Sequence, residues 1–129
     1  MQTLSSADVI AIHDSIIGDH ELQGIAQHKS IDAILARVNT RMAYGMINDI
    51  YELAACYACY IAVGHAFNDA NKRTAFACMH TCFILNGIKL PFDQKIAGDM
   101  MIRAAQKQLD ETDIAQWLRE LHLQEPHKN

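Results

Sequence analysis

His65-Ala66-Phe67-Asn68-Asp69-Ala70-Asn71-Lys72-Arg73 packs a histidine, a carboxylate, an amide and two cations into nine residues. An uncharged run, Leu53 to Val63, precedes it, and another, Thr74 to Asn86, follows it. Flanks of that kind read as two buried helices joined by one polar loop. A dense polar loop held between buried elements is where chemistry would sit.

Outward from that pair, the remaining segments read as further helices. Ser5 or Ser6 can cap a first one, with Val9, Ile12 and Ile16 on one face and Gly18 at its end. Ser30 caps a second, whose Ile31, Ile34, Leu35, Val38 and Met42 make a stripe that Gly45 interrupts. The third opens near Asn48-Asp49 and runs to Val63, where Gly64 stops it. The fourth starts near Asn71 and ends at Asn86-Gly87. Ile88-Lys89-Leu90 reads as a very short extended piece before Pro91. Asp93 caps a fifth helix with Ile96, Ala97, Met100, Met101 and Ala104 inward. Asp110 or Thr112 caps a sixth with Ile114, Trp117, Leu118 and Leu121 inward, and Pro126 onward reads as a frayed end. The expected fold is all-α: one domain, residues 1–129, of about six helices around a central buried pair.

Composition bounds the function. Half of the 129 residues are hydrophobic, enough for a core without metals or disulfides. A net charge of -4 and a pI near 5.9 argue against a protein whose main partner is nucleic acid. MQTLSSADVI is not a signal peptide, and no uncharged run reaches the ~18 residues of a membrane span. The expectation is a soluble cytoplasmic protein with reduced thiols. Cys56, Cys59, Cys78 and Cys82 then read as small packing residues of a tight helix pair. A four-thiolate zinc site is the alternative.

The polar loop carries the chemistry. His65 can act as a general base, because an imidazole titrates close to working pH. A helix starting right after the loop aims its free N–H groups at anions. Lys72 and Arg73 in that first turn oppose the helix dipole and call for an anion, phosphate being the natural one. Asp69, the loop's one carboxylate, suits Mg²⁺ bound to phosphates. Asn71 can cap the helix or reach a phosphate oxygen, and Phe67 anchors the loop in the core. A base, a metal ligand and a phosphate cradle together suit transfer of a phosphate-containing group from a nucleotide to a hydroxyl. No Walker loop occurs, so this is not a P-loop enzyme. The segment from Gly18 to Lys29, with two glycines, two histidines and little periodicity, is long for a connector and reads as a candidate flap.

HAFNDANKR resembles the Fic/Doc motif, H-x-F-x-[D/E]-x-N-x-R, and most closely its Doc branch, H-x-F-x-[D/N]-A-N-K-R. Fic adenylyltransferases usually show H-P-F-x-[D/E]-G-N-G-R-x-x-R. Here Ala66 replaces the proline, Ala70 and Lys72 the two glycines, and Phe76 the second arginine. His13-Asp14, the stretches Ala36-Arg37-Val38 to Ala43-Tyr44, and Glu52 also look Doc-like. The resemblance implies a toxin of a toxin–antitoxin pair, a protein kinase that uses ATP and Mg²⁺ to phosphorylate a threonine of elongation factor Tu and so arrests translation. It implies His65 as base, Asp69 as the Mg²⁺ ligand, and Asn71, Lys72 and Arg73 on the ATP phosphates. Gly18 to Lys29 would align the target. The implied partner is an antitoxin whose disordered C-terminal segment folds on the toxin; no self-inhibiting S/T-x-x-x-E-[G/N] helix is found. AMP transfer to a protein hydroxyl and a non-catalytic Fic-fold interaction module are the alternatives. A DNA binder is a more distant one.

Overall fold

A computed structural model describes residues 1–124, so the end expected to fray from Pro126 lies outside the described residues. Six α-helices follow in order: α1 (Ser6–Ile16), α2 (Ile31–Ala43), α3 (Ile50–Gly64), α4 (Asn71–Leu85), α5 (Gln94–Ala105) and α6 (Glu111–Leu123). The all-α expectation holds, and α3 and α4 form the central pair. Helix α3 packs most extensively on α4 and also touches α2, α5 and α6. Every residue from Leu53 to Ala62 is buried, which explains the absence of charge beyond Glu52.

The caps decide between the alternatives left by the sequence. Ser5, not Ser6, starts α1, in a reciprocal box with Asp8. Asp110, not Thr112, starts α6 in the same way with Asp113. The end of α3 differs from expectation. Gly64 stays helical, and the chain turns at His65, whose φ of 47° is left-handed. Gly64 is needed for closeness instead: a Cβ there would lie 2.5 Å from Ile34 Cδ1 of α2.

Two further expectations are corrected. Ile96 is 52% exposed, because Ala97, Met101 and Ala104 define the inward stripe of α5 and Ile96 sits about 100° around the helix from Ala97. Ile88 to Leu90 form no strand; the Ile88 N–H closes the end of α4 by donating to the Phe83 carbonyl at 2.9 Å. The N-terminal strap is tied down at both ends of its length. Gln2 exchanges backbone–amide hydrogen bonds with Asn86 at 2.8 and 3.0 Å, and the Leu4 N–H donates to the buried Tyr57 hydroxyl at 2.9 Å.

All four cysteines are buried on α3 and α4. Burial pushes the thiols of Cys59, Cys78 and Cys82 up to about 12 and that of Cys56 to about 11. Among the described residues no group of three or more His, Cys, Asp or Glu side chains is placed to hold a metal. No described helix is long and apolar enough to cross a membrane.

Candidate functional site

The loop between α3 and α4 is shaped by two non-glycine residues in left-handed backbone, His65 (φ 47°) and Ala70 (φ 65°). Such residues cost of order 1 kcal/mol each and persist only where the surroundings over-determine them. Three sets of contacts do so here.

The first is internal. Asn71 clamps Phe67: its Oδ1 accepts from the Phe67 N–H at 3.0 Å, and its Nδ2 donates to the Phe67 carbonyl at 2.9 Å. Asn71 is therefore not the cap of α4. That place falls to Ala70, which offers no side-chain acceptor. One N–H of the Asn71 amide stays free for a further acceptor.

The second set comes from α1. The His13 ring is fully buried and lies flat on Phe67, centroids 3.7 Å apart and planes within 4°. Its Nε2 faces the Asp69 carbonyl at 3.0 Å, and its Nδ1 faces Asp14 Oδ1 at 3.1 Å. Both partners are acceptors, so a ring nitrogen bonds to either one only as an N–H donor. Phe67, 3% exposed, is pinned between this ring and the core, as an anchor should be.

The third set is the loop of residues 18–29. Ile25 and Phe67 pair in an isolated antiparallel bridge. The Ala26 N–H donates to the Ala66 carbonyl at 2.7 Å, the Asn68 N–H to Gly24 at 3.0 Å, and Asn68 Nδ2 to Gln23 at 2.8 Å. The candidate flap thus runs alongside the motif. Its Glu21 also pairs with Arg73. That hydrogen bond, with one from the Gly18 N–H, holds the Glu21 carboxyl below the usual carboxylate range.

Against this frame the candidate residues fall together at one end of α4. His65 is exposed at the mouth of the loop. Asp69 is half-buried, one carboxylate oxygen accepting from the Ala70 N–H at 2.9 Å. Lys72 and Arg73 are exposed, and among the described residues Lys72 pairs with no carboxylate. With no side-chain cap at Ala70, the first-turn N–H groups of α4 have no side-chain acceptor among the described residues. Two cations at a helix start without a side-chain cap could hold an anion such as phosphate, Arg73 by exchanging its bond to Glu21. For Mg²⁺, Asp69 supplies a hard oxygen donor with room for a second bond, in keeping with an ion held by one carboxylate and phosphate oxygens.

Two contacts were not visible in the sequence. Glu21 reaches Arg73 across 52 residues, and nothing in its own surroundings marks it. His13 left a weak signal: a polar residue four after Val9, on the buried face of α1.

Comparison with known proteins agrees with this arrangement. The sequence profile of the Fic/DOC family matches residues 3–83, from the N-terminal strap almost to the end of α4. The chain is 36% identical over 123 residues to "Protein kinase doc" of Escherichia phage P1, covering 95% of this chain and 97% of that one. It is 35% identical over 89 residues to "Toxin Doc" of Mycolicibacterium smegmatis, covering 66% of this chain and 68% of that one. A buried helix pair joined by HAFNDANKR, an uncapped cationic helix start and a flap bonded to the loop accompany these matches, and the chain belongs to the Fic/DOC family.

Proposed function

We propose that the protein is a Doc-type toxin: a protein kinase that moves the γ-phosphate of ATP to a threonine of elongation factor Tu. The observation that carries this reading is the cationic, uncapped start of α4 beside His65, with Phe76 one turn along where an adenylyltransferase has its second arginine.

His65 accepts the proton of the target hydroxyl. The hydroxyl oxygen bonds to the γ-phosphorus as the bond from phosphorus to the β,γ-bridging oxygen breaks, and ADP leaves. Lys72, Arg73 and the first-turn N–H groups hold the phosphate oxygens and offset the charge on them. The free N–H of Asn71 adds a donor, while its other contacts fix the loop. Asp69 holds Mg²⁺, which when bound neutralises phosphate charge. The flap orders the target segment beside the loop. The kinase works in the cytoplasm, and an antitoxin with a disordered C-terminal segment neutralises it.

The test is incubation with elongation factor Tu and ATP labelled at either the γ- or the α-phosphate. Label from γ appears on the target threonine and disappears with His65→Ala. Transfer of the α-label alone would instead make the protein an adenylyltransferase. Growth arrest unchanged in His65→Ala would make it a non-catalytic module.

A further inference from the structure

A cavity of about 190 Å³ is walled by α2, α3 and α6, and no residue of the HAFNDANKR loop lines it. Two guanidinium groups, Arg41 and Arg119, and two carboxylates, Glu52 and Glu111, face it. Their side chains are only 27–37% exposed, so water satisfies them in part at most. Met46, Cys56 and Ala115 supply apolar wall between the charges.

The four charges do not close on one another. Arg119 spends its short contact, 2.9 Å, on Asp49, and stands 3.7 Å from Glu52. Arg41 Nη2 lies 3.3 Å from Glu111 Oε1, and the Nε of Arg41 is buried with no acceptor among the described residues. Charged hydrogen bonds of arginine ordinarily draw in to ~2.7–2.9 Å. Both glutamates therefore keep acceptor capacity, and Arg41 keeps a buried donor that calls for a partner.

We propose that this cavity binds a small aliphatic α-amino acid as its zwitterion, the carboxylate accepting from Arg41 and the ammonium donating to Glu52 and Glu111. The inference is independent of the kinase reading. Charge balance selects the class. An anion alone would answer Arg41 but lie between two carboxylates, and a cation alone would answer the glutamates but lie beside two guanidinium groups. A molecule with both ends offsets both pairs. Size selects within the class. The cavity is smaller than the ~300–1,000 Å³ of drug-sized ligands, which excludes a nucleotide, and far exceeds the ~10–15 Å³ that one water needs. Burial pushes the Cys56 thiol up to about 11, so it is a neutral wall and not a third anion. The competing reading is a structural charge network filled by water. Such a network gains most from short, bidentate arginine–carboxylate pairs, which the 3.3 and 3.7 Å separations are not.

Two ends make the test. Titrate the full-length protein by calorimetry with L-alanine, L-valine and L-leucine in turn. Repeat the tightest of the three with its deaminated and decarboxylated analogues (for valine, isovalerate and isobutylamine). At least one amino acid binds with a Kd of about 1 mM or lower, and each analogue is at least about tenfold weaker. Arg41→Lys keeps the charge, lacks the Nε donor and weakens the amino acid about tenfold. Glu111→Gln retains the Asp110–Asp113 box that starts α6 and weakens it about fivefold, so it answers even if Arg41→Lys fails to fold. The amino acid also raises the thermal midpoint of the wild type, and raises it less in each variant. An analogue without the ammonium that binds as tightly as the amino acid makes the cavity an anion site and overturns the proposal. No binding of the three amino acids up to about 10 mM leaves the cavity to water and overturns it too. Affinity unchanged in a folded Glu111→Gln or a folded Arg41→Lys puts the ligand elsewhere on the protein and removes this site.

Discussion

Arg73 is held by Glu21: a first-turn cation of α4 is paired with a carboxylate of the loop of residues 18–29. The carboxylate stands where an anion would meet this helix start, and on the proposed reading a nucleotide must compete with it. Glu21→Gln therefore tightens phosphate binding, by about threefold given how little exposed pairs contribute. Tripolyphosphate titration of the variant against wild type measures it, and weaker binding would show that Glu21 aids the ligand instead.

The same pair has a pH signature. Arg73 depresses the Glu21 carboxyl in the folded protein, so the pair's contribution is complete above the unfolded carboxylate value of ~4.3. It is lost as pH falls through the lowered folded value. Neutral and mildly acidic buffers leave the flap latched. Carbon-detected NMR of the Glu21 side chain should show a midpoint below that of free glutamate, and Arg73→Ala should raise it part of the way back, the Gly18 N–H bond remaining.

His13→Phe separates two roles of one ring. Phenylalanine keeps the stack on Phe67 but cannot donate to the Asp69 carbonyl. The orphaned acceptor costs about 1–3 kcal/mol in urea unfolding. Activity should fall further than stability explains, because the carbonyl belongs to the residue proposed to hold Mg²⁺, and the apparent Mg²⁺ requirement should rise. A stability loss with an unchanged Mg²⁺ requirement would make His13 a core residue only.

Asn71→Ala deletes both bonds to Phe67 and releases the loop. The Phe67 amide then exchanges with solvent faster, while amides in the centre of α3 do not. Asn71→Asp keeps the acceptor for that N–H and should recover most of the protection. Equal exchange in all three proteins would mean that the flap alone holds the loop.

Gly64→Ala inverts the usual preference of a helix. Alanine normally gains up to ~1 kcal/mol over glycine in a helix. Here the new methyl lies 2.5 Å from Ile34 Cδ1, and overpacking of this kind costs about 1–3 kcal/mol. Ile34→Val removes that carbon, so the double variant should regain most of the loss in thermal unfolding.

The helices and the motif were legible because their signals are local. Caps such as Ser30, Asp49 and Asp93 accept from the backbone three residues ahead, and the apolar stripes repeat within a turn or two. Ile96 was misjudged for a related reason: periodicity locates a stripe but leaves its edge uncertain by one residue. The roles of Gly64, Glu21 and His13 were hidden because each depends on a partner in another element: Ile34, Arg73 and Asp69. The position of Asn71 suits either a helix cap or a phosphate contact, whereas its bonds to Phe67 depend on the left-handed turn at Ala70, which no local signal marks.

Ala70 also bears on ancestry. Its left-handed backbone is one that glycine adopts freely, so Ala70→Gly relieves about 1 kcal/mol of backbone strain while deleting the methyl of a residue only 7% exposed. Lys72 is exposed in the first turn of α4, whereas Phe76, one turn on, is half-buried and packs edge-on against Phe92. Of the four positions that distinguish this chain from the adenylyltransferase pattern, Ala66 and Ala70 are buried, Phe76 packs against the core, and only Lys72 is exposed. A change of pattern between the two branches therefore touches packing at three positions and only charge at the fourth.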